Sequence, residues 1–259
     1  MNRSKFLGQH FLKTQKPITA MIEAAKVESG VDVVLEIGAG RGILTRVLSK
    51  NFAKVVAIEK DRALAEGLAR NLEIEKIRNC EIVAGDILKT DFLKYVGENS
   101  YAVIANIPYY LTSRLIRMSL EAKRQPAYMI LMVQKEVAER IAAGPPQMNL
   151  LALSVQAYGK PKIIGRVSRK EFAPEPKVDS AIIKISDISR DFFTENKISE
   201  KNFFSLLHAG FSQKRKRLTN ALAKFFGGKK NAEEKIKKAG LTINARPQEL
   251  TLTEWIKLL

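Results

Sequence analysis

The sequence predicts an α/β fold followed by a smaller helical domain, and three observations support this prediction. Short apolar runs alternate with helical patterns up to about residue 185, which is typical of βα units. One of these runs leads directly into a glycine-rich turn and a helix. From about Ser186 the chain is helical and rich in lysine, with no further β-rich run. We therefore expect a Rossmann-like domain at residues 1–185 and a helical domain at residues 186–259.

The composition indicates a folded protein that meets a polyanion. Of the 259 residues, 46% are hydrophobic, which is ample for a core, and the formal net charge is +17. A folded protein this basic most often binds nucleic acid, and an anionic membrane is the second candidate. No apolar run approaches the ~18–20 residues of a transmembrane helix, and residues 1–16 contain no apolar signal-peptide core. We therefore expect a cytoplasmic protein that does not bind a membrane.

Cysteine and histidine are scarce. The single cysteine, Cys80, excludes an internal disulfide, and His10 and His208 lie too far apart in the sequence to suggest a metal cluster. We expect no metal ion, and we expect the chain to act as a monomer.

Four apolar runs of the first domain each end in a glycine or a polar side chain. Val33–Ile37 leads into Gly38-Ala39-Gly40-Arg41-Gly42 and a helical pattern. The next three runs are Lys54–Ile58, ending at Glu59, Glu81–Ala84, ending at Gly85-Asp86, and Tyr101–Ala105, ending at Asn106. A glycine-rich turn before a helix lets a ligand approach backbone N–H groups, and an acidic residue about 20 positions later can bind two ribose hydroxyls. The glycine loop alone would also suit a tight turn, but the joint spacing predicts a nucleoside-type cofactor.

The glycine spacing also bears on which cofactor is bound. A dinucleotide fingerprint requires a G-x-G-x-x-G spacing, and here the third glycine comes one residue early. Glu36 stands immediately before the loop, where a carboxylate suits a cationic group better than a pyrophosphate. The sequence therefore favours S-adenosylmethionine over a nicotinamide dinucleotide.

The turn Asn106-Ile107-Pro108-Tyr109 follows the fourth strand and carries the predicted chemistry. Pro108 has a fixed φ and favours an extended Ile107, so the turn is stiff. Such a turn can hold the Asn106 amide, a backbone carbonyl and the Tyr109 ring toward one planar substrate that bears an amino group. The alternative is a structural turn in which Asn106 caps and Tyr109 packs.

The remainder of the first domain contains further alternating elements and a proline-rich loop. The predicted helices begin after Thr14, with Pro17 in the first turn, at Thr112 as N-cap, and at Gln134 and Asn149; the predicted strands are Tyr128–Val133, Ile163–Val167 and Ala181–Ile185. The loop from Phe172 to Ser180 contains Pro174 and Pro176, and its stiffness can hold Phe172 opposite Tyr109. The alternative is a plain entry into an edge strand.

The second domain carries a basic run. A helix is predicted over Asn202 to Phe211, and the segment from Gln213 to Lys230 contains seven basic residues and no acidic one. Such a run is commonly a solvated face, but the interleaved phenylalanines favour a phosphate-contacting surface. The candidate RNA-binding residues are Lys214, Arg215, Lys216 and Arg217.

The ordered motifs resemble the ribosomal RNA adenine N6-dimethyltransferases that act on the small subunit. The resemblance covers nearly the whole chain and rests on Gly8-Gln9-His10-Phe11-Leu12, Glu36-Ile37-Gly38-Ala39-Gly40, Ile58-Glu59, Gly85-Asp86, Asn106-Ile107-Pro108-Tyr109, Gln134-Lys135-Glu136-Val137, Phe172 with Pro174 to Ala181, and Phe211-Ser212-Gln213-Lys214-Arg215-Lys216. The chain departs from the family at His10, where many members have Asn, and at Leu150 to Ser154, where the usual run is Tyr-Gly-Arg-Leu-Ser.

The resemblance implies an S-adenosylmethionine-dependent enzyme. Its substrate would be two adjacent adenosines in a hairpin near the 3′ end of small-subunit rRNA, within a pre-small-subunit particle, and each would be methylated twice. The implied cofactor-binding residues are His10, Leu12, Gly38, Gly40, Glu59, with the ribose, Asp86, with the adenine amino group, and Asn106. The implied catalytic residues are Asn106, Pro108, Tyr109 and Phe172.

Two other functions stay open on the sequence. Large-subunit resistance methyltransferases share the Asn-Ile-Pro-Tyr type of motif, although the runs Lys177–Ala181 and Phe211–Lys216 favour the small-subunit branch. A non-catalytic assembly or transcription factor could use the same fold, although intact Glu59, Asp86 and Asn106 argue against it.

Overall fold

A computed structural model describes residues 10–28, 30–213 and 216–259, which form two compact units. The first unit contains the described residues up to Ala138 together with Lys160–Ile188, and the second contains Glu139–Gly159 and Ser189–Leu259. The predicted domains differ from these units in two places, because residues 139–159 group with the second unit and residues 186–188 group with the first. Within the second unit, the Gln156 side chain donates hydrogen bonds to the carbonyls of Ile141 and Ala143. The functional division at 185/186 stays a prediction.

The first unit is built on a seven-stranded sheet. The strands in chain order are β1 (Phe11–Leu12), β2 (Val33–Ile37), β3 (Lys54–Glu59), β4 (Cys80–Ala84), β5 (Tyr101–Asn106), β6 (Met129–Gln134), β7 (Lys160–Val167), β8 (Phe172–Ala173) and β9 (Ser180–Ser186). The sheet has the order β4-β3-β2-β5-β6-β9-β7, parallel from β4 to β6 and antiparallel at β9 and β7. This arrangement places the ends of β2, β3, β4 and β5 at one edge, as the α/β prediction requires.

Helices connect these strands. They are α1 (Lys16–Lys26), α2 (Ile43–Asn51), α3 (Arg62–Ile74), α4 (Leu93–Val96) and α5 (Thr112–Glu121), and α6 (Lys135–Ile141) follows β6 directly. Pro17 lies in the first turn of α1, and the Asp61 carboxylate caps α3 by accepting from the N–H groups of Ala63 and Leu64. Helix α1 packs on β6, β7 and β9, while α3 packs on β3 and β4.

The prediction of Thr112 as an N-cap is wrong. A 3₁₀ turn at Tyr109–Leu111 leads straight into α5, so Leu111 takes the cap position and Thr112 is already helical. The Thr112 hydroxyl is buried and makes no hydrogen bond with the described residues.

Strands β1 and β8 pair outside the large sheet. Phe11 lies opposite Ala173 and Leu12 lies opposite Phe172, and the Lys13 N–H donates to the Glu171 carbonyl. This pairing joins the amino-terminal motif to the proline-rich loop, so two distant parts of the sequence reach the same edge of the sheet.

The second unit is helical. Its helices are α7 (Leu150–Gln156), α8 (Asp191–Glu195), α9 (Glu200–Phe211), α10 (Leu218–Leu222), α11 (Lys229–Lys238) and α12 (Leu252–Ile256). A cluster of rings forms part of its core, with centroids 5.2–6.0 Å apart, from Tyr158, Phe192, Phe193, Phe203 and Phe204. Trp255 is completely buried and lies against Gly210. None of the helices in the described ranges has the length and apolar character that crossing a bilayer requires.

Candidate active site

A pocket opens at the carboxyl ends of the parallel strands of the first unit. Predicted site residues from six separate parts of the sequence line it: His10, Leu12, Gly38, Gly40, Glu59, Asp86, Asn106, Pro108, Tyr109 and Phe172. The lining also includes Glu36, Lys60 and Arg41. The structure therefore brings together all the residues that the sequence assigned to cofactor binding and catalysis, while their individual roles stay predictions.

The glycine loop shapes one wall of this pocket. Gly38 has a φ of 77°, and a Cβ there would lie 3.4 Å from Cδ of Pro108, so the loop passes close to the Asn106–Tyr109 turn. Gly42 has a φ of 76° at the start of α2, where a Cβ would collide with the Leu68 side chain. Only glycine satisfies both demands at low cost, which leaves a cradle of backbone beside the pocket.

Glu59 is fixed by the backbone of the glycine loop. Its side chain is 3% exposed; one carboxylate oxygen accepts from the Gly40 N–H and the other from the Asp61 N–H, both at 2.8 Å. Each oxygen keeps a further acceptor site. The carboxylate can therefore receive two neighbouring ribose hydroxyls while it also holds the loop in place.

Glu36 is a buried acid with an unused oxygen. It is 2% exposed, and its Oε2 makes no hydrogen bond with the described residues. The pKa of Glu36 is raised to about 8, mainly by burial and to a smaller extent by the charge of Glu59. The nearby Thr45 hydroxyl partly offsets this rise, although it lies outside hydrogen-bond geometry. An unpaired acceptor of this kind beside the glycine loop fits the cationic amino group of a methionine moiety.

Asp86 follows β4 and carries a partner that the sequence analysis missed. Its Oδ1 accepts from the Leu88 N–H at 3.1 Å, and its Oδ2 forms an ion pair with Lys60 Nζ at 2.9 Å. The Lys60 ammonium is the main reason that the pKa of Asp86 is lowered. Lys60 stands directly after Glu59 at the end of a predicted strand, and that position is the signal that could have identified it.

The Asn106–Tyr109 turn is held by two backbone hydrogen bonds, one to strand β6 and one within the turn. The Ile107 N–H donates to the Met132 carbonyl at 3.2 Å, and the Leu111 N–H donates to the Pro108 carbonyl at 2.9 Å. The Asn106 side-chain amide makes no hydrogen bond with the described part of the chain. Its acceptor and donors thus remain available to a ligand, which argues against a purely capping role.

Tyr109 is positioned by two neighbours that the sequence analysis did not pair with it. Its hydroxyl is 2.9 Å from Oγ of the buried Ser180. The His10 ring stacks on Tyr109 with centroids 5.9 Å apart, and His10 Nδ1 donates to the Pro174 carbonyl at 2.7 Å. Phe172, expected opposite Tyr109, lines the same pocket but is 2% exposed and belongs to the hydrophobic core.

The predicted RNA-binding residues belong to the helical part of the chain. Lys214 and Arg215 lie outside the described residues. Lys216 and Arg217 are exposed in the second unit, directly before α10, and they form no ion pair with the described residues. Their role in RNA binding stays a prediction.

The combination of parallel sheet, glycine cradle and acidic strand ends defines a Rossmann-like methyltransferase. The fold prediction is thereby confirmed. The chain belongs to the ribosomal RNA adenine dimethylase family, whose model matches residues 1–259, and the resemblance found in the sequence is confirmed.

Relatives and solved structures agree with this assignment. The chain is 41% identical to a ribosomal RNA small subunit methyltransferase A of Dehalococcoides mccartyi, over 98% of this chain and 86% of the relative. It is 34% identical to a protein of the same name from Fusobacterium nucleatum, over 98% and 96%. A dimethyladenosine transferase from Plasmodium falciparum superposes with a TM-score of 0.83 at 28% identity, over 96% of both chains. The 23S rRNA methyltransferase ErmE superposes with a TM-score of 0.76 at 24% identity, over 96% of this chain and 97% of that one. At this identity the similarity indicates the fold alone.

Proposed function

We propose that this protein transfers methyl groups from S-adenosylmethionine to N6 of two adjacent adenosines in a hairpin near the 3′ end of small-subunit rRNA. The observation that carries the proposal is the unpaired Asn106 amide in the same pocket as Glu36, Glu59 and Asp86. One pocket thus offers groups for a nucleoside cofactor and an acceptor for an amino group. The curated relatives named above support the small-subunit substrate over the large-subunit one.

The cofactor groups have natural partners in this pocket. Glu59 would receive the ribose hydroxyls, Asp86 the adenine amino group and Glu36 the methionine ammonium, while Gly38 and Gly40 allow close approach of the backbone. His10 and Leu12 complete the lining. When bound, S-adenosylmethionine supplies a methyl group on a positively charged sulfur, which keeps the bonding electron pair as the methyl group leaves.

Asn106 is the residue that prepares the nucleophile. The lone pair of an adenine N6 is delocalised into the ring, so N6 is a poor nucleophile. If the Asn106 amide oxygen and a nearby backbone carbonyl accept the two N6–H groups, they localise the lone pair on nitrogen and point it away from the ring plane. N6 would then be poised to accept the methyl group that S-adenosylmethionine supplies, and its displaced proton would pass to solvent. Pro108 keeps the turn rigid, so most of the rate enhancement comes from positioning.

Two aromatic residues would capture the extruded base. Stacking on an aromatic ring contributes about 1–3 kcal/mol per base. Tyr109 is only partly buried and is oriented by Ser180, so its ring can serve directly. Phe172 is more deeply buried and would act as a wall of the pocket. Unstacking the adenine costs a few kcal/mol, and less in a loop than in a duplex.

RNA affinity would come from the basic run of the helical part. Lys214, Arg215, Lys216 and Arg217 would contact phosphates rather than bases, so they would set affinity and leave the choice of nucleotide to the pocket. We place the protein in the cytoplasm, where it would act as a monomer on pre-small-subunit particles.

The test is methylation of small-subunit particles that lack the modification. Primer extension should map the product to two adjacent adenosines near the 3′ end, and mass spectrometry should show dimethyladenosine. Modification of large-subunit rRNA instead would indicate the resistance-type activity. Binding of the particle without any methyl transfer would indicate a non-catalytic factor.

A matched variant connects the activity to the cofactor site. Glu59→Gln should abolish detectable S-adenosylmethionine binding in calorimetry, because it removes the charge and one acceptor from the ribose position. Glu59→Ala is a poorer choice, since it would also release the Gly40 and Asp61 N–H groups that Glu59 holds.

A further inference from the structure

Lys60 is the cation closest to the carboxylate that would bind the cofactor's adenine. Its Nζ lies 2.9 Å from Asp86 Oδ2, and both residues line the pocket. The Lys60 side chain is 51% exposed and that of Asp86 is 23% exposed, so the pair lies at the pocket mouth rather than in the core. The ion pair joins the end of β3 to the end of β4, where the Gly85 N–H also donates to the Glu59 carbonyl.

The pair leaves Asp86 in a defined orientation. The Leu88 N–H holds Oδ1 and Lys60 holds Oδ2, so the carboxylate plane is fixed by one contact on each oxygen. Each oxygen retains a further acceptor site. An aspartate held in this way can receive an amino group without first losing side-chain freedom, and preorganisation of this kind improves affinity.

We propose that Lys60 is a positioning residue for the cofactor: it orients Asp86 to accept the adenine amino group and thereby contributes to selection of adenine. The inference depends on the proposed function, in which Asp86 binds the adenine of S-adenosylmethionine, and it adds a residue that acts through Asp86 rather than by touching the methyl group. Lys60 is well suited to this task because its ammonium has three donors, and the ion pair uses one of them.

Two ligands distinguish orientation of Asp86 toward the adenine amino group from a general effect of Lys60 on ligand binding. S-adenosylhomocysteine carries the adenine amino group, and its purine analogue, with hydrogen at that position, lacks it. In calorimetry, Lys60→Met should weaken the binding of S-adenosylhomocysteine by about threefold to fivefold, the upper part of the range for an exposed ion pair. It should leave the affinity for the purine analogue unchanged. Lys60→Arg should restore the affinity, because it restores a donor and the charge.

Lys89 provides the matched control. It is exposed in the Asp86 loop and lowers the Asp86 pKa through its charge alone, and it forms no ion pair with the carboxylate among the described residues. Lys89→Met removes the same charge and should leave the affinity for both ligands unchanged. If Lys89→Met matched Lys60→Met, net charge would explain the effect and the positioning role would be overturned.

The pH dependence gives a second readout that a merely structural role would not change. Asp86 accepts a hydrogen bond best when it is ionised. Lys60 lowers the pKa of Asp86 most, and the Leu88 N–H and Lys89 lower it further. Tyr110, in the 3₁₀ turn after β5, is a further titratable group near Lys60. In the parent protein, lowering the pH should therefore weaken the binding of S-adenosylhomocysteine only below the lowered pKa of Asp86. In Lys60→Met the pKa rises, so the affinity should begin to fall at a higher pH.

The purine analogue reports folding at each pH. Equal losses for both ligands in Lys60→Met, or tighter binding of S-adenosylhomocysteine, would overturn the inference, and so would an unchanged pH profile. Failure of the parent protein to bind S-adenosylhomocysteine at all would instead contradict the proposed function, so the two failures can be told apart.

Discussion

At the scale of single residues, the site combines a carboxylate that is hydrogen-bonded on both oxygens with polar groups that have no hydrogen-bond partner among the described residues. Glu59 has a backbone donor on each oxygen, whereas Asn106 and one oxygen of Glu36 have no protein partner among the described residues. Glu36 is buried and Asn106 is half-buried; a buried group without a partner is costly, so the Glu36 oxygen indicates where a ligand completes the hydrogen bonds.

Asn106→Ala should keep ligand binding and lose turnover. Removing one preorganised polar partner from an active site costs roughly 10²–10³ in rate, and we expect at least this loss in single-turnover methylation of small-subunit particles. S-adenosylhomocysteine affinity, measured by calorimetry, serves as the control and should change far less than the rate, because the other cofactor residues Glu36, Glu59 and Asp86 are untouched. A variant that dimethylates at the parent rate would show that the chemistry depends on other residues.

Tyr109→Ala should differ in kind from Asn106→Ala. It removes a stacking surface worth about 1–3 kcal/mol per base, so it should weaken capture of the extruded adenine rather than activation of N6. The second methylation should suffer more than the first, because monomethyladenine has one N–H left to hold it. Separation of mono- and dimethyladenosine after a single turnover checks this. Equal losses in both steps would contradict it.

Glu36 should make the stability of the protein depend on pH. Its pKa rises from 4.5 to about 8 in the folded state, mainly through burial, so the folded state holds the proton more tightly than the unfolded chain. The free energy of unfolding should therefore fall as the pH rises from 4.5 to about 8 and then level off. Urea denaturation of Glu36→Gln should lack this component. An identical pH dependence in the parent and the variant would contradict the assignment.

At the scale of elements, close packing of the helices decides which glycines can be replaced. Gly210 lies in α9 against the completely buried Trp255, where an added Cβ would overlap the indole ring. Gly67 lies in α3, and an added Cβ there would meet nothing within 4 Å. The two glycines have similar helical surroundings in the sequence, and only packing distinguishes them.

Gly210→Ala should therefore destabilise the protein by about 1–3 kcal/mol, the usual cost of overpacking. Gly67→Ala is the matched control and should stabilise it by about 0.4–1 kcal/mol, because alanine restricts the unfolded chain without strain in a helix. Denaturant midpoints of both variants measure the two effects. Destabilisation by both substitutions would mean that α3 is packed more tightly than the structure indicates.

At the scale of the whole molecule, charge and chemistry are assigned to different parts of the chain. The pocket lies in the first unit, and the basic run lies in the second. Phosphate contacts supply affinity without sequence information, while the pocket selects the base. We therefore expect RNA affinity and cofactor affinity to respond to separate substitutions.

Reversal of Lys216 and Arg217 to Glu, alone or with Lys214 and Arg215, should weaken RNA binding. Each lost phosphate contact should reduce the slope of log affinity against log salt by about 0.9 for duplex or 0.7 for single-stranded RNA. The matched control for the Lys216 and Arg217 double variant reverses Lys26 and Lys94, which already pair with Glu23 and Asp91, so that the net charge changes by the same amount. Cofactor affinity should stay constant. An unchanged salt slope would identify the basic run as a solvated face.

The sequence by itself determined the fold class and most of the site. The glycine loop and the side chains at the ends of successive strands could be located from the pattern, because parallel strands place their carboxyl ends at one edge. Glu59, Asp86 and Asn106 therefore needed no tertiary information to be grouped. The stiff proline-rich loop suggested Phe172, and the resemblance added His10 and Leu12, whose distance in the chain hides their proximity.

Only the tertiary structure decided how these residues are partnered. Pairing of β1 with β8 brings His10 and Phe172 to the pocket, and the His10 ring stacks on Tyr109. The Lys60–Asp86 ion pair and the unpaired oxygen of Glu36 also depend on side-chain positions across neighbouring strands. The physical reason is the same in each case: a sequence pattern specifies which face or edge a residue occupies, whereas a hydrogen bond or stacked ring depends on distances set by packing of the whole domain.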